Sequence, residues 1–207
     1  MTRATTVTSV LDWAVAERSL QGQTESGDLH LVAGFDGGAL VAVIDGLGHG
    51  PEAALAARMA RAVLAAQPGL PPLELIRRCH AGLRGTRGVV LSLASFDLDA
   101  SEIAWAGVGD VEGALFDVAP SGAVSRESII LRGGVVGYQL PPLHANRHPV
   151  APGALLVLAT DGVRRDFACS VDREREPQTV ADAILARHAK GTDDALVLVA
   201  RYQGSGQ

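Results

Sequence analysis

The stretch VAVIDGLGHGPEAA, residues 41–54, decides how this chain folds. Its apolar run predicts a β-strand over residues 39–44, which ends at Asp45-Gly46. A proline at position 51 is typical of the first turn of a helix, so a helix is predicted over residues 51–67. Asp-Gly is common in hairpin turns, but here a helix follows the strand and not a second strand. The segment is therefore a strand–loop–helix unit with a carboxylate at its centre.

The elements predicted on either side of this unit are grouped by type. Apolar and alternating runs predict strands over residues 29–34, 39–44, 88–97, 102–108, 112–118, 154–160 and 195–202. Helical spacing predicts helices over residues 51–67, 72–83 and 179–189. Successive strands with hairpin connections, such as residues 97–101, favour an α+β class with mainly antiparallel sheets over a doubly wound βαβ fold.

The composition is that of a globular protein. Of 207 residues, 47% are hydrophobic and 20% charged, which predicts a single domain over residues 1–207 with a short frayed tail at 204–207. A net charge of −5 leaves no basic stripe, so no nucleic-acid partner is expected. The apolar runs are too short to span a membrane and no signal peptide is recognisable, which predicts a cytoplasmic protein without a membrane partner. Cys79 and Cys169 are expected to be free thiols.

Four aspartates stand where a predicted strand meets a loop: Asp28, Asp45, Asp161 and Asp193. Rigid strand ends can project such side chains into a shared cleft. Converging carboxylates repel one another, and their pKa values rise unless a cation neutralises them. Their hard oxygen ligands suit Mg²⁺ or Mn²⁺, whereas the chain has no Cys/His cluster for zinc. The sequence therefore predicts a divalent-cation site.

Three glycines between the strand and the helix allow a second interpretation, a dinucleotide-binding fingerprint. The third glycine position of that motif is occupied by Pro51, and no acidic residue ends a following strand about twenty residues further on. A dinucleotide site is therefore disfavoured. Taken singly, Asp28 and Asp193 are equally typical of ordinary loops, so the cation site depends on the whole set.

Three segments together carry a resemblance to a known family: ESGDLHLVAGFDGGALVAVIDGLGHGPEAA (25–54), LATDGV (158–163) and GTDDALVLVA (191–200). In this order they resemble the bacterial branch of the type 2C metal-dependent protein phosphatases. Within that branch the chain is most similar to sporulation stage II E-type and small stress-response feedback phosphatases, over residues 7–202. The resemblance implies a four-layer αββα sandwich in which helix pairs flank two antiparallel sheets.

The resemblance also implies roles for individual positions. The family's metal-binding aspartates correspond to Asp28, Asp45, Asp161 and Asp193. Gly46 matches the glycine whose carbonyl completes one metal site, and Asp110, in a stretch that resembles a Gly-Asp-Ser motif, is a candidate ligand of a third metal. The implied cofactors are two or three Mn²⁺ or Mg²⁺ ions. The implied mechanism is attack on phosphorus by a hydroxide held between two metals, with Asp45 as the bridging carboxylate.

Three positions depart from the family pattern. Leu47 stands where eukaryotic members carry a histidine that protonates the leaving group, and His49 is the candidate left for that catalytic role. Gln23 stands where those members carry an arginine that grips phosphate, and Leu196 replaces a threonine of the last motif. The departures leave the phosphate grip without an assigned residue.

The activity implied by the resemblance is hydrolysis of phosphoserine or phosphothreonine in a bacterial stress or sigma-factor pathway. The expected partner is a phosphorylated regulatory protein, either a stressosome scaffold or an anti-sigma antagonist. A catalytically weak or dead phosphoprotein-binding module of the same fold is the alternative. The missing arginine and histidine favour that alternative, and the complete set of four aspartates argues against it. Because the catalytic fold accounts for almost all of the chain, specificity is expected to come from the partner's surface.

Overall fold

A computed structural model describes residues 10–23, 25–118 and 124–204 of the chain. The described residues form two five-stranded sheets, and every pair of neighbouring strands is antiparallel. Residues 7–9 of the predicted core and residues 205–207 of the predicted frayed tail lie outside the described ranges.

Both sheets combine strands that are distant from one another in the sequence. The first sheet contains, in spatial order, β2 (Asp28–Phe35), β3 (Gly38–Gly46), β4 (Val89–Asp97), β5 (Glu102–Val108) and β8 (Asn146–Pro149). The second sheet contains β1 (Leu11–Arg18), β10 (Ala195–Tyr202), β9 (Leu155–Ala159), β6 (Glu112–Val118) and β7 (Val124–Ser128). Following the numbered strands, the chain changes sheets after β1, after β5, after β7 and after β8.

Helices cover the outer face of each sheet. Two helices, α1 (Pro51–Ala66) and α2 (Pro72–Gly82), pack on the first sheet, while α3 (Pro177–His188) packs on the second. Each of the three has proline in its first turn, where the missing N–H costs no hydrogen bond. The predicted α+β sandwich is confirmed. In the described residues, the second flank carries one α-helix and a 3₁₀ helix (Arg165–Ser170) in place of a helix pair.

The core has three apolar layers, and β3 explains their arrangement. Its residues Ala39, Val41 and Val43 pack between the two sheets, whereas the alternate residues pack under α1 and α2. A third layer lies between the second sheet and α3. Because both faces of β3 are buried, its sequence is a continuous apolar run and not an alternation.

The structure adds three strands that the sequence patterns do not predict, namely β1, β7 and β8. All three lie at an edge of a sheet. The polar sequences of β7 and β8, VSRES and NRHP, lack an apolar pattern because edge strands are held by backbone pairing on one side and need little burial. Hydrophobic periodicity therefore detects the central strands and the edge strand β2, and misses these three edges.

Two further expectations concern the helices and the cysteines. No helix among the described residues is both long and apolar enough to cross a membrane. Cys79 is buried and Cys169 exposed, and both are free thiols as predicted.

Candidate metal centre

Asp28 and Asp45 lie directly opposite each other at one end of the first sheet. Asp28 is the first residue of β2, Asp45 is the last but one of β3, and the two are paired across the ladder. Residues in this relation have Cβ atoms about 4.5–5.5 Å apart. Asp45 shares the strand face of Val41 and Val43, which faces the second sheet. Both carboxylates therefore border the gap between the two sheets.

Three more aspartates lie near this gap. Two of them flank strands of the second sheet, and the third lies in the connection from β5 to β6. Asp161 follows β9 and Asp193 precedes β10, and these antiparallel neighbours meet at that end. Asp110 lies between β5 and β6, and β6 pairs with β9. All three add to the electrostatic field that acts on Asp45. The structure thus brings together all five aspartates that the sequence singled out, while their role as metal ligands stays a prediction.

Burial and mutual repulsion suppress ionisation in this acidic cluster. Burial and, after it, the charges of the other four aspartates together raise the pKa of Asp45 from 3.8 to about 9. Burial is also the main cause that raises the pKa of Asp28 to about 7. The pKa of Asp161 is raised by burial as well, although the charges of Lys190 and Arg165 oppose the shift. A bound cation would relieve this repulsion.

Thr160 and Asp194 hold the cluster in place, although the sequence alone predicts no role for either. Thr160 Oγ1 donates a hydrogen bond of 2.7 Å to Asp28 Oδ2 and accepts one of 2.9 Å from the Leu196 backbone N–H. The Asp194 carboxylate accepts 2.7 Å bonds from the backbone N–H groups of Leu20 and Gly27. Thr160 lies in the LATDGV segment and Asp194 in the GTDDALVLVA segment. A local sequence pattern cannot reveal their hydrogen-bond partners, because those partners are distant in the sequence.

The two Asp-Gly glycines are required by packing. A Cβ on Gly46 would lie 2.2 Å from the carbonyl oxygen of Ala53 in α1. A Cβ on Gly162 would lie 1.8 Å from the carbonyl oxygen of Asp194. Glycine at these positions lets α1 and the start of β10 approach the loops that carry Asp45 and Asp161. Packing alone therefore explains the glycine at position 46, whether or not its carbonyl binds a metal as predicted.

The donor chemistry of the cluster fits a hard divalent cation. It offers carboxylate oxygens, and no described residue donates a hydrogen bond to the Asp45 carboxylate. Within the described ranges, no three His, Cys, Asp or Glu side chains already surround one point as a finished metal site. The aspartates lie close enough together to interact electrostatically, but their carboxylate oxygens do not yet surround one point, so cation binding would require their side chains to rotate inward.

Of the residues involved in the three family departures, those before Asp28 and after Asp45 lie in loops at the outer edge of the acidic cluster, which is called its rim below, and the third is buried. His49 is exposed, and its Nδ1 lies 3.4 Å from the Gln23 side-chain amide. The cap of α1 is Gly50, and the His49 side chain does not cap this helix. Leu47 is an exposed apolar side chain in the same loop, whereas Leu196 is buried between the sheets. The structure places His49 in the loop after Asp45, and its catalytic role stays a prediction.

This arrangement of two antiparallel sheets is the fold of the type 2C phosphatases. A chain of the structure reported as "The bacterial stressosome: a modular system that has been adapted to control secondary messenger signaling" is 28% identical, with a TM-score of 0.83 over 92% of this chain and 99% of that one. RsbX in complex with magnesium is 18% identical, with a TM-score of 0.78 over 94% and 96%. The PP2C phosphatase domain of SpoIIE from Bacillus subtilis is 18% identical, with a TM-score of 0.72 over 95% and 64%.

The sequence match is more specific than the fold. The model of the family described as stage II sporulation protein E (SpoIIE) matches residues 36–203, and the chain belongs to this family. Among curated proteins, none matches the sequence. The recognition of a bacterial type 2C phosphatase of the stage II E type is thereby confirmed.

Proposed function

We propose that this protein is a metal-dependent phosphoserine and phosphothreonine protein phosphatase. The observation that carries the proposal is the convergence of five aspartates from both sheets, two of them with pKa values raised to about 7 and about 9. Burial and mutual repulsion of carboxylates on this scale are costly in a folded protein unless a ligand offsets them, and functional sites are where such costs are retained. A phosphatase site with Mg²⁺ or Mn²⁺ is such a case, and a magnesium complex of the similar RsbX supports it.

The proposed ligands are Asp45, Asp161 and Asp193, with Asp28 and the Gly46 carbonyl beside them and Asp110 at a weaker third position. When bound, the divalent ions would supply Lewis acidity that activates water and stabilises charge on the phosphate. The chain's own residues orient the ligands. Thr160 fixes one oxygen of Asp28, and Asp194 ties the segment before β2 to the start of β10. Such supporting contacts commonly determine metal affinity.

The proposed substrate is a phosphorylated regulatory protein of a stress or sigma-factor pathway, either a stressosome scaffold or an anti-sigma antagonist. Membership of the stage II E family and the likeness to a stressosome-related chain support this choice. The proposal places the protein in the cytoplasm with those regulators. The net charge of −5 would disfavour strongly acidic phosphopeptides by like-charge repulsion.

A second candidate is a phosphoprotein-binding module with weak or no turnover. The observation that favours it is the rim, where Leu47 and Gln23 occupy the positions of the histidine and arginine of eukaryotic members. Such a module would bind a phosphorylated regulator with its phosphate intact.

Hydrolysis of para-nitrophenyl phosphate and of phosphoserine peptides, with chelator or with added Mg²⁺ or Mn²⁺, distinguishes the two candidates. We expect chelator to abolish turnover and either cation to restore it. Asp45→Ala should reduce turnover by about a hundredfold or more while the protein stays folded, because it removes the central ligand. Full activity in chelator would contradict the metal mechanism. Binding of a phosphorylated regulator without turnover would favour the binding module.

A further inference from the structure

Arg87 lies against the glycine-rich loop that follows Asp45. The backbone N–H of Leu47 donates a 3.1 Å hydrogen bond to the Gly88 carbonyl, which joins the two segments. Gly48 has a φ of 84°, and a Cβ there would lie 2.9 Å from Arg87 Nη1. Position 48 therefore favours glycine for its backbone, and the guanidinium of Arg87 lies beside it. The cation thus lies against the loop that follows Asp45.

The contact that holds Arg87 is a weak one. Its Nε lies 2.5 Å from Glu52 Oε2 in the first turn of α1, and the two side chains are 49% and 69% exposed. Exposed ion pairs contribute little free energy, so a dianion can replace the carboxylate at small cost. A guanidinium presents parallel N–H donors that match the oxygens of a phosphate.

Two other cations act on the cluster from the side of Asp161. Arg165 pairs with Glu112 at 2.9 Å, and Arg165 and Lys190 both lower the pKa of Asp161. Arg87 is the cation that contacts the loop carrying Asp45 and Gly46. Beside it opens a cavity of about 410 Å³, lined by Glu52, Leu55, Gly85, Thr86 and Arg87. That cavity leaves room for the peptide that carries the phosphate.

We propose that Arg87 binds the phosphate of the substrate, in place of the arginine that eukaryotic type 2C phosphatases carry where this chain has Gln23. This inference rests on the proposed function for the identity of the substrate. Glu52 holds the guanidinium in position until phosphate arrives and competes with phosphate for it. Arg87 thereby supplies positive charge on the outer side of a phosphate whose inner side faces the aspartates.

The test compares variants for binding of inorganic phosphate, by calorimetry on the Mg²⁺-loaded protein, and for KM and kcat on a phosphoserine peptide. We expect Arg87→Ala to weaken phosphate binding and to raise KM by about tenfold, with Mg²⁺ affinity and melting temperature unchanged. Arg87→Lys should bind phosphate better than Arg87→Ala but less well than the wild type, because lysine keeps the positive charge and lacks the parallel N–H donors of the guanidinium. Glu52→Gln should tighten phosphate binding about twofold when Arg87 is present and should have no effect in Arg87→Ala.

The matched control is Arg78→Ala, since Arg78 forms a similarly exposed pair with Glu74 on α2. That variant should bind phosphate like the wild type. Unchanged phosphate binding in Arg87→Ala, or an equal loss in Arg165→Ala, overturns the inference, as does a wild-type protein that binds no phosphate. A wild-type protein that binds phosphate through Arg87 but hydrolyses no phosphopeptide contradicts the proposed function and leaves the role of Arg87 standing.

Discussion

Thr160 Oγ1 donates a 2.7 Å hydrogen bond to Asp28 Oδ2, although the two residues are 132 positions apart in the chain. Thr160 follows β9 of the second sheet, and Asp28 begins β2 of the first. The same hydroxyl accepts a hydrogen bond from the Leu196 backbone N–H. One buried side chain thus connects the two sheets at the end where the aspartates converge.

Thr160→Val tests this connection, because valine keeps the shape and removes the hydroxyl. The buried Leu196 N–H would lose its acceptor and Asp28 its donor, so we expect the free energy of unfolding to fall by about 1–3 kcal/mol. Metal affinity should fall by about tenfold or more, because Asp28 is no longer oriented. Denaturant unfolding and metal titration measure the two effects. Thr160→Ser keeps the hydroxyl and should retain both properties, and a valine variant with wild-type metal affinity would contradict this role.

Asp45→Asn should make the metal-free protein more stable. Asparagine keeps the size of the side chain and removes a charge whose burial raises the pKa to about 9. We expect a gain of about 1–3 kcal/mol in the free energy of unfolding at pH 8, together with loss of the stabilisation that Mg²⁺ gives the wild type. Thermal melts with and without metal measure both changes. Asp36→Asn, at an exposed turn position, is the control and should change neither. A destabilised Asp45→Asn protein would argue against a strained acidic cluster.

The stability of the metal-free protein should fall as the pH rises from 7 to 9. In this window the folded state still holds the proton of Asp45, whose pKa is about 9, whereas the unfolded state lost it near pH 3.8. The folded state therefore binds more protons than the unfolded state, and stability decreases with pH, by about 1 kcal/mol per pH unit. The affinity for Mg²⁺ should rise over the same range, because the cation displaces that proton. A melting temperature that does not change with pH between 7 and 9, in the wild type as in Asp45→Asn, would contradict the raised pKa.

His49 can be tested as the proton donor to the leaving oxygen by comparing two substrates. A serine leaving group needs protonation, whereas para-nitrophenolate needs little. We expect His49→Ala to slow a phosphoserine peptide about tenfold more than para-nitrophenyl phosphate. His144→Ala removes another exposed histidine and serves as the control. Equal slowing of both substrates by His49→Ala would reject the acid role.

Local signals in the sequence determined the central strands, the three α-helices and the position of each aspartate at a strand end. Apolar periodicity and the proline and glycine positions act over a few residues, so they can be read without knowing the fold. The pairing of Asp28 with Asp45 follows from such signals, since β2 and β3 are joined by a short turn.

Tertiary structure alone decided the rest. The edge strands β1, β7 and β8 form because neighbouring strands offer them backbone partners, and their own sequences carry little pattern. Thr160 reaches Asp28, and Asp194 reaches Leu20 and Gly27, because the two sheets stack with these ends together. The raised pKa values of Asp28 and Asp45 depend on that stacking too, since burial and distance between charges are properties of the assembled sandwich and not of any segment.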